Sequence, residues 1–309
     1  MTPIQTLGQG LIWYAVASLL AWGVYPAIYR ATPGLRDRGV SLSRPLGLLF
    51  SVLAPWWLSA MGILPFTDPV IVGCFLALAI PLWTIEIRRR ELIAFIRDNR
   101  RTVLTFEAVT LILFLGYILF RGFNPAIAFT EKPMDFAFLT SAIQAQVMPP
   151  PDPWFAGQPI NYYYLGYVLI AVIARLSRIE PAVAYNLGLA TLFSSSTIAA
   201  AGTAANIARA WPGATRTRTV ASGLLGGLLL TGVGNLVTLV EIVRSPRQTL
   251  TQTWFEGIGW GASRVITDSG IPGSSTPHHT INEFPAFSFI LGDLHPHLLA
   301  YPLFLSAIA

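Results

Sequence analysis

The sequence predicts an all-α fold, a polytopic transmembrane helical bundle of about eight apolar segments with an outer loop carrying a short interfacial helix. Three observations lead there. Apolar residues make up 53% of the 309 positions, and charged residues only 11%, against roughly 25% in soluble domains. Mean hydropathy is +0.58. The apolar residues also gather into continuous runs rather than alternating, which argues against a transmembrane barrel. A soluble fold of this length has no interior large enough for so many apolar side chains. Composition therefore excludes a soluble enzyme, a nucleic-acid binder and a disordered chain.

The runs are 7–29, 45–65, 69–85, 102–120, 157–176, 181–208, 219–243 and 284–309. Each is near the roughly 20 residues that a spanning helix needs. No basic residue precedes 7–29, so this run reads as a retained span rather than a cleaved signal. The last run ends at Ala309 without a charged flank, as expected of a chain that continues beyond it. The organisation expected is N-terminal transmembrane segments in 1–120, an extracytoplasmic loop in 121–160, and a further bundle with a His-rich segment in 161–309. Cys74 is the one cysteine, so no intrachain disulfide exists.

The net charge of +5 comes almost entirely from arginine, Lys132 being the one lysine. The arginines sit in short clusters between apolar runs, as the positive-inside rule requires. Arg30, Arg36, Arg38 and Arg44 flank one loop. Arg88, Arg89, Arg90, Arg97, Arg100 and Arg101 crowd another, in a basic amphipathic stretch over 86–101 expected on the inner surface. Two crossings separate the clusters, so both face the cytoplasm and the 121–160 loop faces out. Arg175 and Arg178 then conflict with Arg209, Arg216 and Arg218, because one apolar run separates two apparently inner clusters. The conflict disappears if 157–176 or 181–208 does not fully cross, which also places 244–283 outside.

The loop from Phe129 gathers the scarce charges Glu131, Lys132, Asp135 and Asp152. A helix is predicted over 133–147, with Phe136, Leu139, Ile143 and Val147 along one stripe and Pro133 in its first turn. Glu131 and Asp135 are i,i+4, which puts both carboxylates on one face. Such a pair can bind a divalent cation or supply a general base; it also suits a solvated helix N-terminus. Asp152 sits in a stiff turn, Pro149-Pro150-Pro151-Asp152-Pro153-Trp154. Tyr162, Tyr163 and Tyr164 follow. An aromatic belt accounts for interfacial tyrosines, but three in succession point in three directions, so at least one should face the interior.

All four histidines, His278, His279, His295 and His297, fall within 20 residues, with Glu283 and Asp293 among them. Asp293, His295 and His297 lie inside an apolar run, where ionisable groups signal function by default. His and carboxylate together can bind a divalent metal or a phosphate, with Asp293 and His295 as candidate ligands. Gly292 and Pro296 predict a helix break there. Between 244 and 276 the Gly/Ser/Pro-rich sequence with Trp254 and Trp260 reads as an irregular loop, and Arg264 in it is a candidate phosphate partner. Glycines 223, 226, 227, 232 and 234 allow close helix packing.

At EKPMD (131–135), PPPDPWFAG (149–157), NYYYLGY (161–167) and EFPAFSFILGDLHPH (283–297) the chain resembles the YYY family, multipass membrane proteins of chloroflexi and archaea. The resemblance covers about 121–309. That family in turn is similar to the GT-C glycosyltransferases, whose first large outer loop carries an acidic motif and an interfacial helix. The resemblance implies a GT-C-like integral-membrane enzyme of the plasma membrane, using a polyprenyl-phosphate-linked sugar on the extracytoplasmic side, with Mg or Mn as possible cofactor. Asp135, Glu131 and Asp152 would be catalytic. Tyr162, Tyr163, Tyr164, Lys132, Arg264, Glu283 and His297 would bind substrate, and Asp293 and His295 a metal. Here the acidic pair is i,i+4 rather than adjacent, and three additional spans precede the loop. Membrane lipids, the lipid-linked donor and other membrane subunits are the expected partners, and nucleic acid is not. A transporter or flippase for an anionic or lipid-linked substrate, and a non-catalytic scaffold subunit, are the alternatives.

Overall fold

A computed structural model describes residues 3–85, 89–245, 258–268 and 278–309. The described chain is mostly helical and forms two compact units, Met1–Gly227 with Gly292–Ala309, and Leu228–Leu291. Arg88 and Trp254 lie outside the described residues.

In the first unit the helices are α1 (Pro3–Gly23), α2 (Tyr25–Ala31), α3 (Ser43–Ala60), α4 (Asp68–Thr84), α5 (Arg89–Asp98), α6 (Arg100–Gly122), α7 (Lys132–Gln144), α8 (Leu165–Ser177), α9 (Pro181–Ala210), most of α10 (Arg216–Thr231) and, after the second unit, α14 (Pro296–Ile308). Helix α6 packs on α9, α1 on α3, and α14 on α9. Small residues set the spacing. A Cβ on Gly47 of α3 would lie 2.4 Å from Ala21 Cα on α1, and one on Gly166 of α8 would lie 2.7 Å from Leu299 Cβ on α14. Several polar side chains buried between the helices find partners on neighbouring helices, as a low-dielectric interior favours. Trp13 Nε1 donates to Thr191 Oγ1 at 2.8 Å. Arg44, which the sequence assigned to a loop cluster, is buried and pairs with Glu107 of α6 at 3.0 Å, and Tyr14 and Trp22 also donate to Glu107.

The eight apolar segments do not each become a long helix. Among the described residues two helices, α6 and α9, are long and apolar enough to cross a membrane, or up to four if the bent pairs α1 with α2 and α4 with α5 each count as one span. The physical reason is interruption. Run 7–29 bends by 49° after Gly23. Run 157–176 yields a 13-residue helix because residues up to Tyr164 belong to the preceding turn. Run 219–243 splits into α10 and α11 (Val237–Arg244), and run 284–309 breaks at Gly292–His295. The amphipathic stretch after residue 86 does form α5, with Leu92 buried and Arg89, Arg90 and Arg97 exposed.

Residues that join the helix ends define two ends of this unit. The end carrying residues 121–164 is called here the motif end, and the end carrying Arg36, Arg101 and Arg209 the arginine end. Helix α8 begins and finishes at the motif end. At its start Trp56 Nε1, near the C-terminus of α3, donates to Tyr164 Oη at 3.1 Å. At its finish Arg175 pairs with Asp68, the first residue of α4, at 2.7 Å and donates to the Ala145 carbonyl. Phe66 N donates to Gln146 O, which places these loops together. Run 157–176 is thus the one that fails to pass between the ends. Helix α9 does pass, from Asn186 beside Arg121 to Asn206 beside Asp37.

The second unit holds α11, α12 (Ile258–Ala262), a two-stranded antiparallel ladder of β1 (Ile266–Asp268) and β2 (His278–Thr280), and α13 (Pro285–Leu291). The stretch 244–276 read as an irregular loop therefore contributes one strand, β1, to a ladder whose other strand follows it, with Thr267 opposite His279. Asn235 Nδ2 donates to the Ala262 carbonyl, and Asn282 N to Ser263 O at 2.8 Å.

Candidate functional site at the motif end

Helix α7 starts after Glu131, with Pro133 in its first turn as the sequence predicts. It ends at Gln144, because the chain becomes extended at Ala145 and joins the Phe66 loop. Its buried face is Lys132, Asp135, Phe138, Leu139 and Ala142 rather than the predicted stripe; Val147 is exposed and beyond the helix. The face is rotated because α7 packs on α8, whose Tyr167 meets Asp135, while His295 at the start of α14 meets the same charged edge.

Asp135 is fully buried. Tyr167 Oη donates to its Oδ1 at 2.5 Å. Its Oδ2 is buried, accepts no hydrogen bond and lies 3.8 Å from His295 Nδ1. The same Nδ1 is 2.8 Å from Glu131 Oε2, whose side chain is 57% exposed. The two carboxylates thus share one imidazole, one from the interior and one from the rim. Asp135, above all, holds the His295 imidazolium above its ordinary range, against desolvation and with help from Glu131 and Asp293. His295 precedes α14 in extended conformation, with Pro296 in the first turn. That break, predicted from Gly292 and Pro296, is what aims the imidazole at α7. Gly292 has φ +69°, and a Cβ there would lie 2.6 Å from an Arg121 nitrogen, so only glycine suits both the left-handed backbone and the approach of the guanidinium.

A second buried polar group adjoins the first. Asp293 Oδ2 accepts from Thr130 Oγ1 at 2.9 Å, while its Oδ1 is buried without a hydrogen bond. Burial pushes the Asp293 carboxyl up to about 6, with Thr130 opposing and Asp135 adding to the rise. Lys132 is buried, and desolvation followed by Arg121 lowers its ammonium, Asp293 opposing. Arg121 Nε donates to Asn186 Oδ1 at 3.0 Å. Tyr185 Oη accepts from Leu294 N at 2.9 Å, fixing the backbone between Asp293 and His295.

The Tyr triplet occupies the turn before α8, and its members diverge as the sequence predicts. Tyr162 stacks on Phe138 at 5.3 Å and meets the His295 ring edge-on at 6.5 Å. Burial, then Glu131 and Asp135, raises its phenol. Tyr163 is exposed, and Tyr164 is held by Trp56. Asp152 Oδ1 accepts from Trp154 N and Phe155 N at 2.8 and 2.9 Å, so this acid shapes its own turn. His297 lies 5.2 Å from the His295 ring and 5.7 Å from Tyr301.

The histidine cluster divides between the units. His295 and His297 belong to the first, and His278 and His279 to β2 of the second, their side chains lying outside the described residues. Arg264 and exposed Glu283 also belong to the second unit, where Arg264 stacks over Trp260 at 3.4 Å. Among the described residues no group of three or more His, Cys, Asp or Glu side chains is placed to hold a metal ion. Sequence reasoning missed Tyr167, Tyr185 and Arg121. Tyr167 was within reach, as the last letter of the quoted motif NYYYLGY.

Helices bundled around buried polar networks, with an acid–histidine constellation at one end, define a helical membrane protein. The chain belongs to the family of uncharacterized membrane proteins DUF2298, whose model matches residues 50–309. No curated protein and no solved structure matches it.

Proposed function

We propose that the motif end is a transferase site, in which His295 acts as general base on an acceptor hydroxyl. The observation that carries this is the shared imidazole: one nitrogen faces a rim carboxylate at 2.8 Å and a fully buried one at 3.8 Å. A buried carboxylate that needs a proton nearby, and a partly exposed imidazole that supplies it, form the base-and-orienter pair of acid–base catalysis. In this reading Asp135 positions the histidine, and Glu131 at the rim receives the acceptor.

The reaction class favoured is glycosyl transfer from a polyprenyl-phosphate-linked sugar of the GT-C kind, at the extracytoplasmic face of the plasma membrane. The acceptor oxygen forms a bond to the anomeric carbon, the bond from that carbon to the phosphate oxygen breaks, and His295 takes the hydroxyl proton. The polyprenyl phosphate leaves with its electron pair. Tyr162, Tyr163 and His297 line the approach, and aromatic faces suit a sugar ring. Mg or Mn would enter with the donor phosphate, and the Asp293 Oδ1 that accepts no hydrogen bond would be a donor to it. The resemblance of the four motifs supports this class, as does the burial of Asp135.

The test uses the full chain in detergent, with polyprenyl-phosphate sugars, with and without Mg or Mn. His295→Ala and Asp135→Asn are each expected to reduce sugar transfer at least about a hundredfold, while Asp152→Asn leaves it within a few-fold. Transfer unchanged in His295→Ala with the protein still folded would overturn the assignment.

A further inference from the structure

At the opposite end of the first unit, helices α5, α6, α9 and α10 and the 36–40 loop surround a cavity of about 600 Å³. Four arginines line it, each from a different element and each exposed towards its mouth: Arg36 from the loop, Arg101 from α6, Arg209 from the end of α9 and Arg216 from the start of α10. Arg36, Arg209 and Arg216 also line the adjoining cavity, with Trp211 at its rim. Among the described residues none of these four side chains has a carboxylate within ion-pair distance. Asp37, the one acid in the wall, is occupied by Ser41, Gly39 and Asn206. Four like charges around one cavity repel each other, and an anion among them relieves that repulsion.

The walls below the arginines are apolar: Phe106 and Val109 on α6, Ile198 on α9, Val220 and Leu224 on α10. Arg101 to Val109 and Arg216 to Leu224 are each eight residues, a descent of about 12 Å at the helical rise. The cavity is therefore charged at the mouth and greasy along its depth. Charges placed only to set topology need be no more than solvated; they need neither converge on one cavity nor stand over an apolar cleft.

We infer that this cavity binds one anionic glycerophospholipid, its phosphate among Arg36, Arg101, Arg209 and Arg216 and an acyl chain between α6 and α10. Charge complementarity fixes the headgroup, and the apolar depth fixes a lipid rather than a free anion. The positive-inside rule places the lipid in the cytoplasmic leaflet. This site is separate from the motif end and stands whether or not that end transfers sugar.

The full chain, released from nanodiscs of mixed phosphatidylglycerol and phosphatidylcholine, is examined by native mass spectrometry. One retained phosphatidylglycerol per chain is expected, in preference to phosphatidylcholine. Arg209→Gln with Arg216→Gln should weaken that retention about thirtyfold, two charges at about 1 kcal/mol each, whereas Arg97→Gln, outside the cavity, leaves it unchanged. Val220→Trp keeps every charge but fills the cleft, and it too should lower retention. Equal retention of the two lipids, or full retention in the double arginine variant, overturns the inference. So does an arginine-dependent melting shift with inorganic phosphate equal to that with phosphatidylglycerol, which would assign the mouth to a free anion.

Discussion

Single titrating groups dominate the motif end, and they set how stability depends on pH. The carboxyl of Asp293 rises from 3.8 to about 6 on folding, so the folded state binds more protons than the unfolded one between those values. Its contribution is present below about 4 and is lost as pH rises through 6. His295 is raised above 6.5, so its contribution is full below 6.5 and is lost as pH rises through the folded value. The two act in the same direction. The melting temperature is expected to fall from pH 4 to beyond pH 7. Asp293→Asn keeps an acceptor for Thr130, should flatten the lower part of that fall, and should stabilise the protein at pH 7 by up to about 3 kcal/mol. His295→Ala should flatten only the upper part. A melting profile of the Asn variant parallel to that of the parent would refute the role of Asp293. Sequence reasoning found Asp293 and His295 because ionisable residues are rare in apolar runs, and Glu131 and Asp135 because the chain's scarce charges gather in the loop at i,i+4 spacing. It did not find that Asp135 is buried and Glu131 exposed, since i,i+4 spacing gives a shared face but not what packs on it. The same rarity marked Glu107, alone in run 102–120, and reading it would have anticipated the partner of Arg44.

At the level of elements, the site depends on α14 reaching the level of α7, and α8 lies between them in the packing. Gly166 lets α8 meet α14 at Leu299, 2.7 Å from where a Cβ would stand. Gly166→Leu forces these helices apart and is expected to cost about 1–3 kcal/mol, the usual penalty of overpacking. Because Tyr167 is the next residue, transfer activity should fall further than stability does. Melting and turnover measured on the same preparation decide this; a variant with parental values for both would show that the contact does not set the site. Helix positions were legible from apolar runs, as α6 and α9 show. Helix breaks were legible where glycine and proline stand together, at 292–296, and illegible elsewhere. Nothing in run 157–176 distinguishes a crossing helix from one tied at both ends to the same loops, because Trp56 and Asp68 are 108 and 107 residues from the side chains they hold, and Ala145 is 30 from Arg175.

For the whole chain, the two ends of the first unit make opposite demands on the membrane. The arginine end carries Arg36, Arg101, Arg209 and Arg216, without an ion-pair partner among the described residues, and α5, while the motif end carries a histidine flanked by acids. On the positive-inside rule the motif end is expected outside. The position of α8 turns this into a three-site test. In a Cys74→Ser background, Phe155→Cys reports the motif turn, Asp98→Cys the arginine end, and Glu180→Cys the link from α8 to α9; all three native side chains are exposed. An impermeant maleimide added to intact cells should label 155 and 180, and should reach 98 only after permeabilisation. If α8 crossed, 180 would label with 98 instead. Labelling of 98 alone in intact cells would reverse the orientation, and would place both the proposed transfer chemistry and the proposed lipid on the opposite faces. The pairing of Arg175 with Asp68 at 2.7 Å argues for the first outcome. It gives Arg175 a part-buried carboxylate partner, so this arginine need not mark an inner loop, while exposed Arg178 lies 3.8 Å from the same carboxylate.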